Sequence, residues 1–167
     1  MRTIELTQGK QALVDDEDYE LLMNYKWHAW QASKNGDIWY AATYFYLGND
    51  YGRNIDMHRL LLDLDGTKLS VDHINGDGLD NRRCNLRVAN QQQNMMNRRK
   101  GSKQTSSKYK GVYRKKHTHL WRAHIQYNRK DIHIGYFKDE EDAARAYDQK
   151  AIELFKEFAN LNFKEGR

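Results

Sequence analysis

Four polar residues in the middle of the chain have the types and spacing of a metal-dependent hydrolytic site. Asp72 and His73 are adjacent, and the amide side chains of Asn85 and Asn94 follow them. A carboxylate and an amide oxygen form a hard-oxygen site that leaves positions for water and phosphate, which suits Mg²⁺ or Mn²⁺ better than a closed zinc cage. We therefore predict that Asp72 and Asn94 bind a divalent metal ion.

The other two residues have predicted roles in catalysis. An imidazole with an unperturbed pKa of ~6.5 can accept a proton near neutral pH from a water that attacks phosphorus, so His73 is the predicted general base. Asn85 needs no proton-transfer role. Its amide can bond backbone groups across a chain reversal and hold His73 in place.

The surrounding sequence predicts a hairpin followed by a helix. Residues 69–74 alternate apolar and polar side chains as a strand does, and residues 75–78, Asn-Gly-Asp-Gly, have the composition of a turn. Residues 86–88 predict a short return strand. Asn90 can cap a helix to about residue 98, in which Asn94 shares the face of Asn90 and points back toward the hairpin.

Two flanking motifs extend this constellation. They are Met57-His58-Arg59-Leu60 and Asn90-Gln91-Gln92-Gln93-Asn94. Together these residues resemble the HNH homing endonucleases of phage and bacterial mobile elements, with Asn94 in place of the last histidine of the general motif. The resemblance implies a ββα-metal core over residues 57–98. It leaves open whether His58 contacts the scissile phosphate or is a packed or capping residue.

The composition limits the class of protein. Cys84 is the only cysteine among 167 residues, which excludes an intramolecular disulfide and thiolate-rich zinc sites. No apolar run approaches the ~18 residues that span a bilayer, and residues 1–5 do not begin a signal peptide. We expect a cytoplasmic protein with neither a membrane partner nor a nucleotide cofactor.

Positive charge is concentrated in one segment. Residues 95–130 hold twelve Lys and Arg and no Asp or Glu, although the net charge of the chain is only +5. Because aromatic residues are interleaved with these charges, we predict a polyanion-binding surface rather than a merely solubilising patch. Residues 99–108 predict a basic linker that lies along DNA or is a plain tether.

The last third predicts a three-stranded antiparallel sheet packed on one helix. Strands are expected at residues 111–115, 121–127 and 131–135, and in the middle strand apolar side chains alternate with Arg122, His124 and Gln126. A helix that begins at Asp139 should cover the apolar face. The open polar face can then enter a DNA major groove.

This segment resembles the plant Apetala-type (ethylene-response-factor) DNA-binding domain over about residues 106–163. The motifs that carry the resemblance are Tyr109-Lys110-Gly111-Val112, Trp121-Arg122-Ala123, Ile134-Gly135-Tyr136-Phe137, Ala143-Ala144-Arg145-Ala146-Tyr147-Asp148 and Ala159-Asn160-Leu161-Asn162-Phe163. The chain departs from the plant pattern at Tyr113, Gln126, Asp131 and His133, so the plant target sequence is not inherited.

DNA contacts are expected from the basic segment, the open sheet face and one turn. Asp131 is not expected to touch a phosphate, whereas Arg129 and Lys130 are predicted backbone contacts. The predicted DNA-binding residues are Arg98, Arg99, Lys100, Tyr113, Arg114, Lys115, Arg122, His124, Gln126, Arg129, Lys130 and His133.

The sequence thus predicts an α+β chain in four parts. An N-terminal β-rich unit (residues 1–56) precedes the ββα-metal core (57–98). The basic linker (99–108) and the sheet-plus-helix domain (109–167) follow. Six aromatic residues of the N-terminal unit are expected in its core: Trp27, Trp30, Trp39, Tyr40, Tyr44 and Tyr46. The N-terminal part also resembles that of the homing endonucleases.

The predicted function is site-specific, metal-dependent cleavage of double-stranded DNA by a monomer of the homing endonuclease type. Two alternatives stay open. One is a sequence-specific DNA-binding regulator whose HNH site is inert, and the other is a less specific defence nuclease.

Overall fold

The computed structural model describes residues 1–32, 38–48, 51–97 and 106–163. The chain folds into two compact units, residues 1–94 and residues 95–167. Both combine helices with antiparallel sheets, which confirms the predicted α+β class.

The first unit contains three small antiparallel sheets and short helices. A hairpin (β1, β2), a three-stranded sheet in the order β3-β4-β5 and a second hairpin (β6, β7) are its sheets. The elements are β1 Arg2–Glu5, β2 Gln11–Val14, α1 Asp16–Leu22, β3 Trp27–Gln31, β4 Trp39–Gly48, β5 Tyr51–Asp56, α2 Met57–Leu61, β6 Ser70–His73, β7 Leu86–Ala89 and α3 Gln91–Asn97, the last at the junction of the two units.

One core holds the first unit together. Side chains from both sides of residue 56 pack in it, and Val14, Leu22 and Met57 are completely buried. Burial of each of these apolar side chains stabilises the folded protein by about 1.5–3 kcal/mol. Val71 and Leu86 of the second hairpin belong to this core. The hairpin is therefore packed with side chains of β1, β2, β3 and β4.

Strand β5 is the main element that the sequence pattern does not predict. Its residues, Tyr51 to Asp56, bury only one apolar side chain, Ile55, and therefore lack the alternation of a half-buried strand. The strand forms by pairing with β4 beyond the core. For the same reason Tyr44 and Tyr46 on β4 are exposed. Trp30 on β3 is exposed as well, so the expectation that these three aromatic residues are core residues is wrong.

The second unit is a three-stranded sheet covered by one helix, as predicted. Strands β8 Val112–Arg114, β9 Trp121–Tyr127 and β10 Lys130–Phe137 are antiparallel in the order β10-β9-β8, and helix α4 Glu140–Phe155 packs on them. Asp139 caps α4 by accepting hydrogen bonds from the main-chain N–H groups of Glu141 and Asp142.

Gly111 permits close packing in the second unit. Its φ is +73°, and a Cβ atom there would lie 2.1 Å from the ring of Tyr147 on α4. A side chain at position 111 would therefore push α4 away from β8, the strand that begins at the next residue.

Some predicted features lie outside the described residues. They are the hairpin turn that the Asn35-Gly36 pair predicts in the N-terminal unit, the residues Arg98, Arg99 and Lys100, and most of the linker. Within the described ranges, the helices are too short or too polar to cross a membrane.

Candidate functional site

The β6–β7 hairpin buries Asp72 beside Arg87. The two residues are directly paired across the hairpin, and Asp72 is 3% exposed. Its Oδ2 accepts hydrogen bonds from Arg87 Nε at 2.8 Å and Nη2 at 2.6 Å. A buried carboxylate is costly without a partner, so Arg87 makes this position tenable in the folded protein.

His73 is the next residue on β6, and its ring contacts Asn81. The distance from His73 Nε2 to Asn81 Oδ1 is 3.4 Å, and Asn81 is fully buried. Asn81 Nδ2 donates to the Leu79 carbonyl, so the amide presents its oxygen to His73. Since an amide oxygen only accepts, the imidazole hydrogen belongs on Nε2 and the basic lone pair on Nδ1.

Burial lowers the pKa of His73. Removal of the ring from water is the largest cause and outweighs the hydrogen bond to Asn81 and the nearby carboxylates of Asp72, Asp77 and Asp80, which raise the pKa. His73 is therefore neutral at pH 7. A neutral imidazole is the form that accepts a proton.

His58 and Tyr40 surround the His73 ring. The centroids of the His58 and His73 rings are 5.1 Å apart in an edge-to-face arrangement, and Tyr40 lies within 5.8 Å of both. Burial lowers the pKa of His58 to about 3, and its Nδ1 has no hydrogen-bond partner in the described part of the chain. The structure thus places His58 against the candidate base.

Asn85 braces the loop that follows His73. Its Oδ1 accepts from the Asn75 N–H at 2.9 Å, and its Nδ2 donates to the Asp80 carbonyl at 2.7 Å. Its main-chain carbonyl accepts from the N–H of Ile74. Asn85 therefore acts on the backbone next to His73, while the Asn81 side chain accepts a hydrogen bond from the imidazole.

Asn94 lies on α3 and is exposed. The start of this helix is fixed by reciprocal bonds between Asn90 and Gln93, and the Asn94 N–H donates to the Asn90 carbonyl. Asn94 makes no side-chain hydrogen bond with the described residues, so its amide can be recruited by a ligand. The hairpin groups Asp72, His73 and Asn85, and Asn94 lies one turn into the helix that follows.

Sequence reasoning missed Asn81, Arg87 and Tyr40. Asn81 stands in a loop rich in Asn and Asp, where nothing in the residue types distinguishes it from turn residues. Arg87 carries a weak signal, since register pairs it with Asp72 once the hairpin is assumed. Tyr40 comes from a distant strand, and only the fold brings it to His73.

The polar face of the second unit carries five of the nine predicted DNA-binding side chains that the structure describes. Arg122 is its centre: Nη1 donates to the Tyr113 hydroxyl, Nη2 to Asp131 and Nε to His133 Nδ1. His124 also contacts Asp131, and Gln126 is exposed on the same strand. Each of these strands contributes to one continuous polar surface.

Four predicted contacts lie at other positions. Lys115 packs over the ring of Tyr136, Arg129 is exposed in the β9–β10 turn, and Lys130 is exposed at the start of β10. Arg114 packs over Trp121, on the sheet face opposite Tyr113, because neighbouring strand residues alternate in direction. One further charge of the basic segment is structural, since the half-buried Lys110 donates to the Met96 carbonyl and burial lowers its pKa to about 8.

Comparison with known families matches two segments of the chain. Residues 64–96 match the model of an HNH endonuclease, and residues 107–157 match the AP2 domain. The first segment contains Asp72, His73, Asn81, Asn85 and Asn94. The second contains the polar sheet.

Individual relatives agree with this division. An uncharacterized HNH endonuclease, L560, of Acanthamoeba polyphaga mimivirus is 34% identical over 160 residues, which cover 93% of this chain and 76% of the relative. APETALA2-like protein 2 of Oryza sativa is 38% identical over 65 residues, and the AP2-like ethylene-responsive transcription factor TOE2 of Arabidopsis thaliana is 37% identical over 68 residues. Those matches cover only 15% and 14% of the plant proteins.

Proposed function

Since the chain belongs to the HNH endonuclease family, we propose that it is a site-specific, metal-dependent nuclease that cleaves double-stranded DNA. The observation that carries this proposal is the buried, neutral His73, fixed by Asn81 and adjacent to the carboxylate of Asp72. We further propose a homing-type role, in which the chain cuts a defined DNA site in the cell compartment that holds this DNA.

We assign the chemical step to His73. Its Nδ1 takes the proton of a water that attacks the phosphorus, while the Nε2–H group continues to donate its hydrogen bond to Asn81 Oδ1. Asn85 keeps the His73 loop closed through its two bonds to the backbone. A base held in one tautomer and one orientation needs no rearrangement when the phosphate arrives.

The donor set of the hairpin and α3 fits a divalent cation. Asp72 provides a carboxylate and Asn94 an exposed amide, both hard oxygen ligands. Arg87 already donates to Asp72 Oδ2, so a cation held by Asp72 would share the carboxylate with the Arg87 guanidinium. When bound, a divalent cation supplies charge neutralisation at the phosphate and assists departure of the 3′-oxygen.

We assign target recognition to the polar sheet of the second unit. A sheet with its apolar face covered by α4 exposes its other face to a major groove, where Arg, His and Gln side chains match the base edges. The AP2 match over residues 107–157 supports this assignment. Arg129 and Lys130, exposed at the turn, are the proposed phosphate contacts.

The test is cleavage of a supercoiled plasmid library with random inserts by the full chain, with Mg²⁺ and with EDTA. We expect cleavage with Mg²⁺ only, and sequencing of the cut ends should give a defined site. Nicked and linear products show whether a monomer with one site per chain cuts one strand or both.

Three other outcomes would contradict parts of the proposal. Cleavage at unrelated sequences would indicate a less specific defence nuclease. Site-selective binding without cleavage under any metal would indicate a DNA-binding regulator. Equal cleavage in Mg²⁺ and EDTA would contradict the metal assignment alone.

A further inference from the structure

A carboxylate lies in the middle of the proposed DNA-binding face. Asp131 is on β10, and its side chain is 43% exposed. A negative charge here repels phosphates, so a carboxylate on a DNA-binding face must have another role. Both of its oxygens already have partners: Oδ2 accepts from Arg122 Nη2 at 2.9 Å, and Oδ1 contacts His124 Nδ1 at 2.5 Å.

Arg122 is fixed from three sides. Besides Asp131, it donates from Nη1 to the Tyr113 hydroxyl on β8 and from Nε to His133 Nδ1 on β10 at 3.2 Å. A long, flexible side chain thus has one orientation across the sheet. Three of its five N–H groups are engaged within the protein, so Arg122 acts largely on its neighbours.

These contacts give the two histidines opposite tautomers. A carboxylate oxygen only accepts, so the His124 hydrogen lies on Nδ1 and its Nε2 is an acceptor in the neutral ring. An arginine only donates, so His133 Nδ1 is the acceptor and its hydrogen lies on Nε2. His124 and His133 are directly paired across β9 and β10, so an acceptor and a donor stand side by side.

We infer that Asp131 and Arg122 are positioning residues that set the tautomers of His124 and His133, and that this histidine pair reads adenine. Adenine is the base whose own major-groove edge shows a donor, the N6 amino group, beside an acceptor, N7. An acceptor next to a donor is also the pattern with which an Asn or Gln amide reads this base. The inference rests on the proposed function of the sheet.

The first test is selection of binding sites from a random duplex pool by the full chain, with EDTA present so that the probes stay uncut. We expect the wild type to prefer adenine at one position by about tenfold or more. In Asp131→Asn the side chain no longer accepts from both partners, and the adenine preference should fall by about tenfold, while binding to scrambled duplex stays equal or becomes tighter.

The matched control is Glu153→Gln. It removes one carboxylate from the same unit, at an exposed position on α4 whose ion-pair partner among the described residues is Lys150. This variant should keep the adenine preference. If Asp131→Asn behaves like Glu153→Gln, with the same base preferences as wild type, Asp131 is only a charge on the surface and the inference is wrong.

The second test measures the tautomers directly and does not depend on DNA. Nitrogen-15 chemical shifts of the imidazoles in the full chain, in mildly alkaline buffer, should show the hydrogen of His124 on Nδ1 and that of His133 on Nε2. In Asp131→Asn the preference of His124 should weaken. A wild-type His124 with its hydrogen on Nε2 would overturn the inference.

Failure of the inference differs from failure of the proposed function. Suppose that the wild-type chain cleaves a defined site but shows no adenine preference at any base pair recognised by the sheet. That result contradicts only the inference that His124 and His133 read adenine. A chain that selects no sequence in either the cleavage or the binding assay contradicts the proposed function of the sheet itself.

Discussion

The two units use the same residue types in opposite environments. In the first unit, the side chains of Asp72 and Arg87 are 4% and 16% exposed, and the His58 and His73 rings are buried. In the second unit, Asp131 and Arg122 are 43% and 26% exposed, and His124 and His133 lie on an open sheet face. The Asp-Arg-His group of the first unit is therefore desolvated, and that of the second unit is solvated.

This difference corresponds to two kinds of work. A proton-transfer group gains from fixed partners and from the absence of water, because its orientation and neutral state are then set before the substrate binds. A reading surface has to exchange its hydration for base edges, so its groups must remain accessible. Burial in the hairpin therefore fits its proposed catalytic role, and exposure on the sheet fits its proposed role in recognition.

The largest expected effect comes from removing the base of the buried group. His73→Ala should lower the cleavage rate by ~10²–10⁴-fold, because positioned proton transfer contributes that much. DNA affinity should stay near that of the wild type. The matched control is His119→Ala, which removes an exposed histidine. A normal cleavage rate in His73→Ala would show that the buried group does not supply the base.

The two Asp-Arg pairs should differ in their contribution to stability. Arg87→Met leaves Asp72 buried without its partner and should lower the free energy of unfolding by about 3–5 kcal/mol. Arg122→Met breaks an exposed pair and should cost about 1 kcal/mol or less. Urea denaturation of both variants measures this, and equal losses would show that burial does not separate the two pairs.

Asn81 should affect catalysis more than binding. Asn81→Leu removes the acceptor that fixes the His73 tautomer and should slow cleavage by about 10- to 100-fold. Asn81→Asp restores an acceptor oxygen and should recover part of the rate, with the pH profile shifted upward because a carboxylate raises the pKa of His73. Recovery without a shifted profile would indicate a purely structural role.

Acid should destabilise the first unit through its buried histidines. The folded pKa of His58 is about 3 and that of His73 is also lowered, so the unfolded chain binds more protons below pH 6.5. Their stabilising contribution is complete above about pH 6.5 and falls with the pH below it, by at most about 1.4 kcal/mol per pH unit for each histidine. His58→Phe should flatten the dependence of unfolding on pH, and an unchanged slope would contradict the assignment.

The smallest expected effect concerns the proposed phosphate contacts of the second unit. Lys130→Gln and Arg129→Asn should each reduce the slope of log K against log salt by about 0.9 without changing the preferred sequence. Asparagine suits position 129 because φ there is 63°. Binding titrations on specific and scrambled duplexes measure the slope. A change in base preference would instead place these residues among the base contacts.

Much of the fold follows from local sequence signals. Alternation in residues 121–127 and the Asp139 cap predict β9 and α4 because each signal depends on neighbouring residues only. Strand β5 lacks such a signal, since its pairing with β4 is decided by chain connectivity and not by its own apolar pattern.

The site divides in the same way. The spacing of Asp72, His73, Asn85 and Asn94 is fixed by a hairpin and the helix after it, so the sequence by itself determined which groups are candidates. The partners of these groups come from elsewhere in the chain: Tyr40 and His58 reach His73 from β4 and α2. Asn81 is held in place by its N–H bond to the Leu13 carbonyl of β2. Contacts between distant segments, and the burial they produce, are properties of the packed structure, and so only the tertiary structure decided the tautomer and the lowered pKa of His73.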